Sequence, residues 1–597
     1  MLSIQVIEHR MGGLFMRKKQ IWGKRVCSVL CATVLVTGVL SGCGNKETTE
    51  ATNYVSEEEA QTQASESETE ESEIIESEII EEATESETES SEVTEANESG
   101  AEESLVDGES VQDAAKSTYN GYGEEETEEI VNDESYNNIV ENSFQSVDEM
   151  PLSTFSADVD TASYSNVRRM ITDGYNMDQI PKDAVRIEEL INYFDYDFAA
   201  PRGNKPFAVT MEVSNCPWNS DNYVMMVGMK TKEISAEEML PSNFVFLLDV
   251  SGSMSDENKL PLLQESFELL TENLSGNDRV TIVTYASNDT VVLEGEKGNH
   301  KEEILDAIYS LSADGSTNGS DGIETAYELA EEYFMEGGNN RVILATDGDL
   351  NVGVTSEDEL EDLITEKRES GIFLSVLGFG TDNLKDDKME VLADCGNGNY
   401  AYIDSVSEAE KVLVKELGAT MQTVAKDVKL QVEFNPIVIS EYRLIGYENR
   451  ELSASDFKDD TKDAGELGAG HTIVALYEVV PTQKGSAIKL KYQDKYFKDN
   501  KDVFDEDEEY CTVSIRYKEP NQSESIKKEF PMDGTVLTEN PSDDFVFATT
   551  VAEFGMLLRD SEYEGDASMD DVLGRLEDLD SEDADKVEFK ELVEEIQ

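Results

Sequence analysis

The chain has 597 residues, enough for three to five domains and too many for a single core. Against 47 Lys and Arg stand 131 Asp and Glu, a net charge of −84, and this balance excludes a nucleic-acid partner, because phosphate binding needs clustered cations. The acid is uneven: residues 51–150 hold 33 Asp and Glu against one basic residue, Lys116, so that part is expected to stay unfolded while the rest packs.

The first segment reads as an address. Arg17, Lys18, Lys19, Lys24 and Arg25 precede an uncharged apolar run over 26–40, the order of a signal peptide. The run is shorter than the roughly 20 residues a membrane-crossing helix needs. Leu40, Ser41, Gly42 and Cys43 resemble a bacterial lipobox, which implies that residues 1–42 form a lipoprotein signal peptide and that Cys43 carries lipid as the first mature residue. Met1, Met11 and Met16 all stay open as starts. With Cys27 and Cys31 removed, Cys216, Cys395 and Cys511 remain, an odd number without zinc-type spacing, so neither a disulfide-stapled fold nor a zinc site is expected.

From Cys43 to Met150 the sequence is a Glu, Ser and Thr stalk. It cannot bury enough apolar area to offset backbone ordering, about 1–2 kcal/mol per residue, and self-repulsion should extend it. The expectation is a spacer that holds the folded part off a membrane.

Order is expected from about Leu152. Residues 151–239 form an N-terminal flank, with a short helix over Ile187–Phe194 and strands over Phe207–Val213 and Tyr223–Lys230. Residues 240–425 alternate strands and amphipathic helices. The strands are Phe244–Val250, Val280–Tyr285, Val291–Leu293, Arg341–Ala345, Ile372–Leu377 and Tyr400–Ile403. The helices are Lys259–Leu274, Ile304–Leu311, Ile323–Phe334, Ser356–Ser370, Asp387–Ala393 and a closing helix from Glu408 to about Ala425. Ser356 and Glu359 have capping-box spacing. Continuous apolar strands between helices imply an α/β fold with a doubly wound, mostly parallel sheet, whose ligands sit beyond the carboxyl ends of the strands. Residues 426–535 are again strand-rich, at Val428–Phe434, Thr472–Val480, Ala487–Tyr492 and Tyr510–Tyr517. Helices near Phe545–Leu558 and Asp585–Ile596 make a tail over 536–597. The two flanks share a character, so the α/β unit is expected to be inserted in, or flanked by, one β-rich domain.

Oxygen ligands gather at that carboxyl edge. Asp249, Ser251 and Ser253 end the first strand, Thr317 lies in the loop 315–319, and Asp347 ends the fourth strand. A lone carboxylate there would be an N-cap, but three loops presenting carboxylates and hydroxyls together suit a hard divalent cation. On these residues the stretch of about 240–425 resembles a von Willebrand factor A domain, whose DxSxS motif is matched by Asp249, Ser251 and Ser253, with Thr317 and Asp347 at its distal positions. Over roughly 150–560, through Phe155–Arg169, Ala184–Tyr196 and Tyr442–Glu451, the chain is similar to bacterial A-domain lipoproteins.

The resemblance implies a metal-ion-dependent adhesion site. Asp249, Ser251, Ser253 and Thr317 would touch a magnesium ion, with manganese or calcium as alternatives, and Asp347 would do so directly or through water. The ion's last position would be filled by an acidic group of a protein ligand. The function implied is a lipid-anchored, extracytoplasmic binding protein, at the cell surface if there is no outer membrane. A scaffold in an envelope assembly, with a structural metal, is the alternative. No His or Lys is evident beside the acids, and GxSxG, HExxH and P-loop patterns are lacking, so the chain is not expected to be an enzyme and a metal-dependent hydrolase is the minor alternative. Asp314, Asp321 and Asp349 read as solvated loop residues, His471 as structural, Cys395 and Cys511 as buried thiols, and Trp218 as a corner anchor.

Overall fold

The computed structural model describes residues 134–597 except 158–159, 204, 236–238, 316–318, 349–356, 382, 417–421, 463, 483–508 and 580, together with the side chains of 319–321 and 357–359. The signal peptide, Cys43, the stalk up to residue 133, Thr317, Ser356, the Asp321 side chain, Asp349 and the strand expected at 487–492 lie outside the described residues.

The chain first contributes β1 (Gln145–Ser146), β2 (Leu152–Ser156), β3 (Phe207–Asn215) and β4 (Tyr223–Thr231). Next come β5 (Ser242–Asp249), β6 (Arg279–Tyr285), β7 (Asp289–Lys297), β8 (Asn339–Thr346), β9 (Phe373–Phe379) and β10 (Tyr400–Ile403). Last are β11 (Thr423–Phe434), β12 (Ile439–Ile445), β13 (Leu467–Gly468), β14 (Thr472–Pro481), β15 (Glu509–Lys518) and β16 (Ser525–Asp533).

The middle group forms one sheet in the order β10-β9-β8-β5-β6-β7, parallel throughout except that β7 runs antiparallel to β6. Every residue of β5 is buried, because alternate side chains enter two cores. Phe244, Phe246 and Leu248 meet Leu263 and Phe267 of the helix Leu260–Asn273 on one face. Val245 and Leu247 meet Ile323 and Tyr327 of the helix Gly319–Glu332 on the other. Each such side chain, fully buried, contributes roughly 1.5–3 kcal/mol. This two-sided burial is what makes the strands read as continuous apolar runs.

The flanks interleave. β4, before the α/β unit, pairs antiparallel with β14, after it, from Tyr223↔Val479 to Lys230↔Thr472, and β2 pairs with β11. The sheets β1-β12-β14-β4-β3 and β13-β11-β15-β16 share a core that includes Met225, Val227, Val432, Phe434 and Tyr477. The opposite side chains of β4 and β14, among them Met226 and Leu476, join Phe194, Trp218, Phe547 and Phe589 in a helical layer. The α/β unit is thus carried between strands of one β-rich body.

Several boundaries differ from expectation. Order begins earlier than Leu152: the Ser135 amide donates to the Leu384 carbonyl at 3.0 Å, β1 pairs with β12, and Phe144 packs edge-on against Tyr563. The apolar residues Tyr136, Phe144 and Val147 explain why this end of the acidic segment packs. The closing helix stops at Lys415, and β11 starts at Thr423, inside the expected helix. β2, β12, β16 and the helix Met569–Leu579 are additional elements.

Candidate functional site

Parallel pairing of β5 with β8, Leu248 opposite Ala345, brings Asp249 and Asp347 to the same carboxyl edge. The loop after β5 is pinned by three backbone bonds. The Val250 amide donates to the Tyr285 carbonyl at 3.1 Å, Gly252 donates to the Gly315 carbonyl at 3.0 Å, and Asp314 donates to the Val250 carbonyl at 2.8 Å. The last two tie this loop to the one that leads into Thr317.

Asp249 is fully buried. Its Oδ1 accepts from the Ser251 amide at 2.8 Å and its Oδ2 from the Thr346 hydroxyl at 3.2 Å. The Ser251 and Ser253 hydroxyls are 2.8 Å apart. Burial pushes the Asp249 carboxyl up to about 6, with the neighbouring Asp347 adding to the rise and the bond from Ser251 opposing it. Among the described residues no basic side chain ion-pairs with Asp249. A buried carboxylate in that position is costly unless a cation arrives.

Asp347, also fully buried, differs. The Lys259 Nζ donates to its Oδ2 at 3.0 Å and to the Asn383 Oδ1 at 2.8 Å. Burial works against the Asp347 charge, but Lys259, Asn383 and Ser253 outweigh it and hold the carboxyl below the usual aspartate range. The expectation that no Lys stands near these acids is therefore corrected. Lys259 precedes the helix Leu260–Asn273, six positions beyond Ser253, and only the fold carries it to Asp347. Asn383 and Thr346 are likewise members of the site that sequence reasoning missed.

The donors are all hard oxygens: two carboxylates and two hydroxyls, Thr317 being outside the described residues. Among the described residues no group of three Asp, Glu, His or Cys side chains is arranged as a metal cluster, so hydroxyls and water would have to complete an ion's shell. That is the coordination magnesium favours, with few carboxylates and retained waters. The residues present therefore fit a divalent cation.

Elsewhere, the exposed Asp314 side chain agrees with a solvated role. Cys216 and Cys511 are buried free thiols, whereas Cys395 is only half-buried. The Trp218 indole is buried and donates to Glu478 at 3.0 Å, as an anchor would. His471 is part-buried, and its backbone carbonyl accepts from the Thr231 amide at 2.8 Å.

Comparison with known proteins identifies the family. The family model for the von Willebrand factor type A domain matches residues 243–416, one described as von Willebrand factor matches 130–226, and one described as the C-terminal part of uncharacterized protein YfbK matches 419–597. The chain is 43% identical over 470 residues to the uncharacterized protein YfbK of Escherichia coli (strain K12), covering 77% of this chain and 80% of that protein. It is 30% identical over 154 residues to human inter-alpha-trypsin inhibitor heavy chain H4, covering 24% of this chain and 16% of that one. Among solved structures, a von Willebrand factor type A protein from Catenulispora acidiphila aligns with a TM-score of 0.37 at 15% identity, over 60% of this chain and 80% of that one. Domains of this type mediate protein–protein interactions, commonly bind a divalent cation and generally lack enzymatic activity. Identity of this degree over most of both chains, with the A-domain match on the strands that carry Asp249 and Asp347, shows that the chain belongs to the von Willebrand factor type A domain family that includes Escherichia coli YfbK.

Proposed function

We propose that the chain is a membrane-anchored binding protein of the cell envelope that engages a protein ligand through a magnesium-dependent site. Asp249, Ser251, Ser253 and Thr317 contact the ion, and Asp347 does so directly or through water. When bound, the ion offers a coordination position to an acidic group of the ligand. Asp249 supplies the charge that draws the ion in, and the Ser251 amide with the Thr346 hydroxyl fixes the orientation of its carboxylate. The paired Ser251 and Ser253 hydroxyls supply neutral oxygens, which add no negative charge to that of the two carboxylates. Lipid on Cys43 and the acidic segment that precedes Glu134 tether this domain outside the membrane, at the surface where no outer membrane intervenes.

The observation that carries the reading is Asp249: a buried carboxylate, raised in pKa by burial and by Asp347, with no basic ion-pair partner among the described residues. Binding of the ion to the folded state alone should stabilise it by mass action. The test is thermal melting of the full chain with magnesium and with chelator. Magnesium is expected to raise the melting temperature of the wild type and leave that of Asp249→Ala unchanged. An equal rise in both would remove the site.

A further inference from the structure

Two acids meet at this edge and they are not equivalent. Asp249 has a backbone amide and a hydroxyl for donors, whereas Asp347 is held by an ammonium. The Lys259 side chain is built into the fold rather than draped over it. It is buried, and its head bridges two loops, touching Asp347 after β8 at 3.0 Å and Asn383 after β9 at 2.8 Å. Its aliphatic stem runs over Gly380, where a Cβ would overlap the lysine carbons. A solvent-directed lysine would need none of this accommodation.

A divalent ion between two carboxylates would form a neutral assembly, with nothing left to attract an anionic group. An added ammonium restores one positive charge. Resting on the magnesium-site reading above, we propose that Lys259 is a positioning residue of the metal site: it fixes Asp347 against Asn383 and keeps the metal-loaded site net positive toward an acidic group of the ligand. The same charge lowers the site's affinity for the cation, so the ion is held exchangeably.

The measurement is manganese binding by the full chain, followed by electron paramagnetic resonance of the free ion. Wild type is expected to bind manganese and Asp249→Ala to lose that binding. Lys259→Met is expected to bind about tenfold tighter or better, since a like charge has left a buried site, and Lys259→Arg to keep the wild-type value. Loss of packing alone would weaken or spare affinity, and would not tighten it. If Lys259→Met does not fold, Lys259→Gln, which keeps a donor toward Asp347 without the charge, carries the same expectation. Unchanged or weaker binding in the uncharged variant, with wild-type binding still dependent on Asp249, overturns the role of Lys259 and leaves the site standing. Absence of Asp249-dependent binding in the wild type overturns both.

Discussion

The Arg168 guanidinium, on the helix Ala162–Thr172 that precedes the α/β sheet, lies 2.7 Å from the Glu408 carboxylate on the helix Val406–Glu410 that follows it. The same guanidinium binds Asp404 through two bonds of 2.8 and 2.6 Å, and the Tyr193 hydroxyl donates to Glu408 at 2.7 Å. The flank thus clasps the last helical segment of the A domain with a buried charge network. Arg168→Met would strand the buried Glu408 carboxylate and the part-buried Asp404, a loss of about 3–5 kcal/mol. Denaturant unfolding should show it. A change within about 0.5 kcal/mol, the range of ordinary surface substitutions, would mean that water already screens the pair.

Glu188 gives a pH dependence. Burial, reinforced by Glu448 and Glu189 and opposed by Arg559, lifts its carboxyl to about 7 from an ordinary 4.5. The folded state therefore holds this proton more tightly than the unfolded state. The associated stability is fully present below about pH 4.5 and is lost as pH rises through about 7, an effect of up to about 3 kcal/mol. Glu188→Gln should lose less stability than wild type between pH 5 and pH 8 in parallel unfolding experiments. Identical slopes would assign the pH dependence to other groups.

Asp249, Ser251, Ser253 and Asp347 are legible in the sequence because each stands at or just beyond the end of a continuous apolar strand, a local signal. Lys259 and Asn383 are not, since their meeting depends on where the helix after the DxSxS loop and the turn after β9 come to rest. β16 hides for another reason: Lys527, Lys528, Glu529 and Pro531 argue against a strand, yet it lies at the edge of its sheet, where charge and proline are tolerated. The closing helix is overread because the periodicity through Val412 and Leu413 runs toward Thr423 and Ala425, which pair instead with β13. Interleaving of the flanks follows from alternating strands on both sides of the A domain, but the pairing of β4 with β14 spans too much sequence for any pattern to specify.

Gly380 has a φ of 80° and carries the Lys259 stem against its open side. Gly380→Ala should cost about 1–2 kcal/mol for the left-handed backbone, plus the displacement of Lys259. The two parts separate in a double-mutant cycle. In a Lys259→Ala background the displacement term vanishes, so the cost of Gly380→Ala should fall by about 0.5–3 kcal/mol, the range of coupling between touching residues. Strict additivity would show that the lysine and the glycine do not press on each other.

Cys43→Ser tests the anchor apart from the fold. In the proposed reading, lipid on Cys43 at the head of a hydrophilic segment carries the membrane attachment. The variant should leave the membrane fraction of expressing cells while its isolated folded part melts as the wild type does. Continued sedimentation with membranes would place the attachment elsewhere.

Asp249→Asn should separate the cost of the metal site from its use. The amide keeps an oxygen for the Ser251 N–H and can donate to the Thr346 hydroxyl in place of accepting from it, so the local hydrogen bonds survive. What disappears is a buried charge beside Asp347, whose unfavourable environment is visible in a carboxyl pushed up to about 6. In chelator at neutral pH the variant should therefore be more stable than the wild type, by about 1–3 kcal/mol. In saturating magnesium the order should reverse, because only the wild type gains the stabilisation of a bound ion. Melting curves of the two proteins with and without magnesium should cross. A variant that is less stable in both conditions would show that Asp249 serves the fold through its hydrogen bonds and that its charge is not held in reserve for a cation.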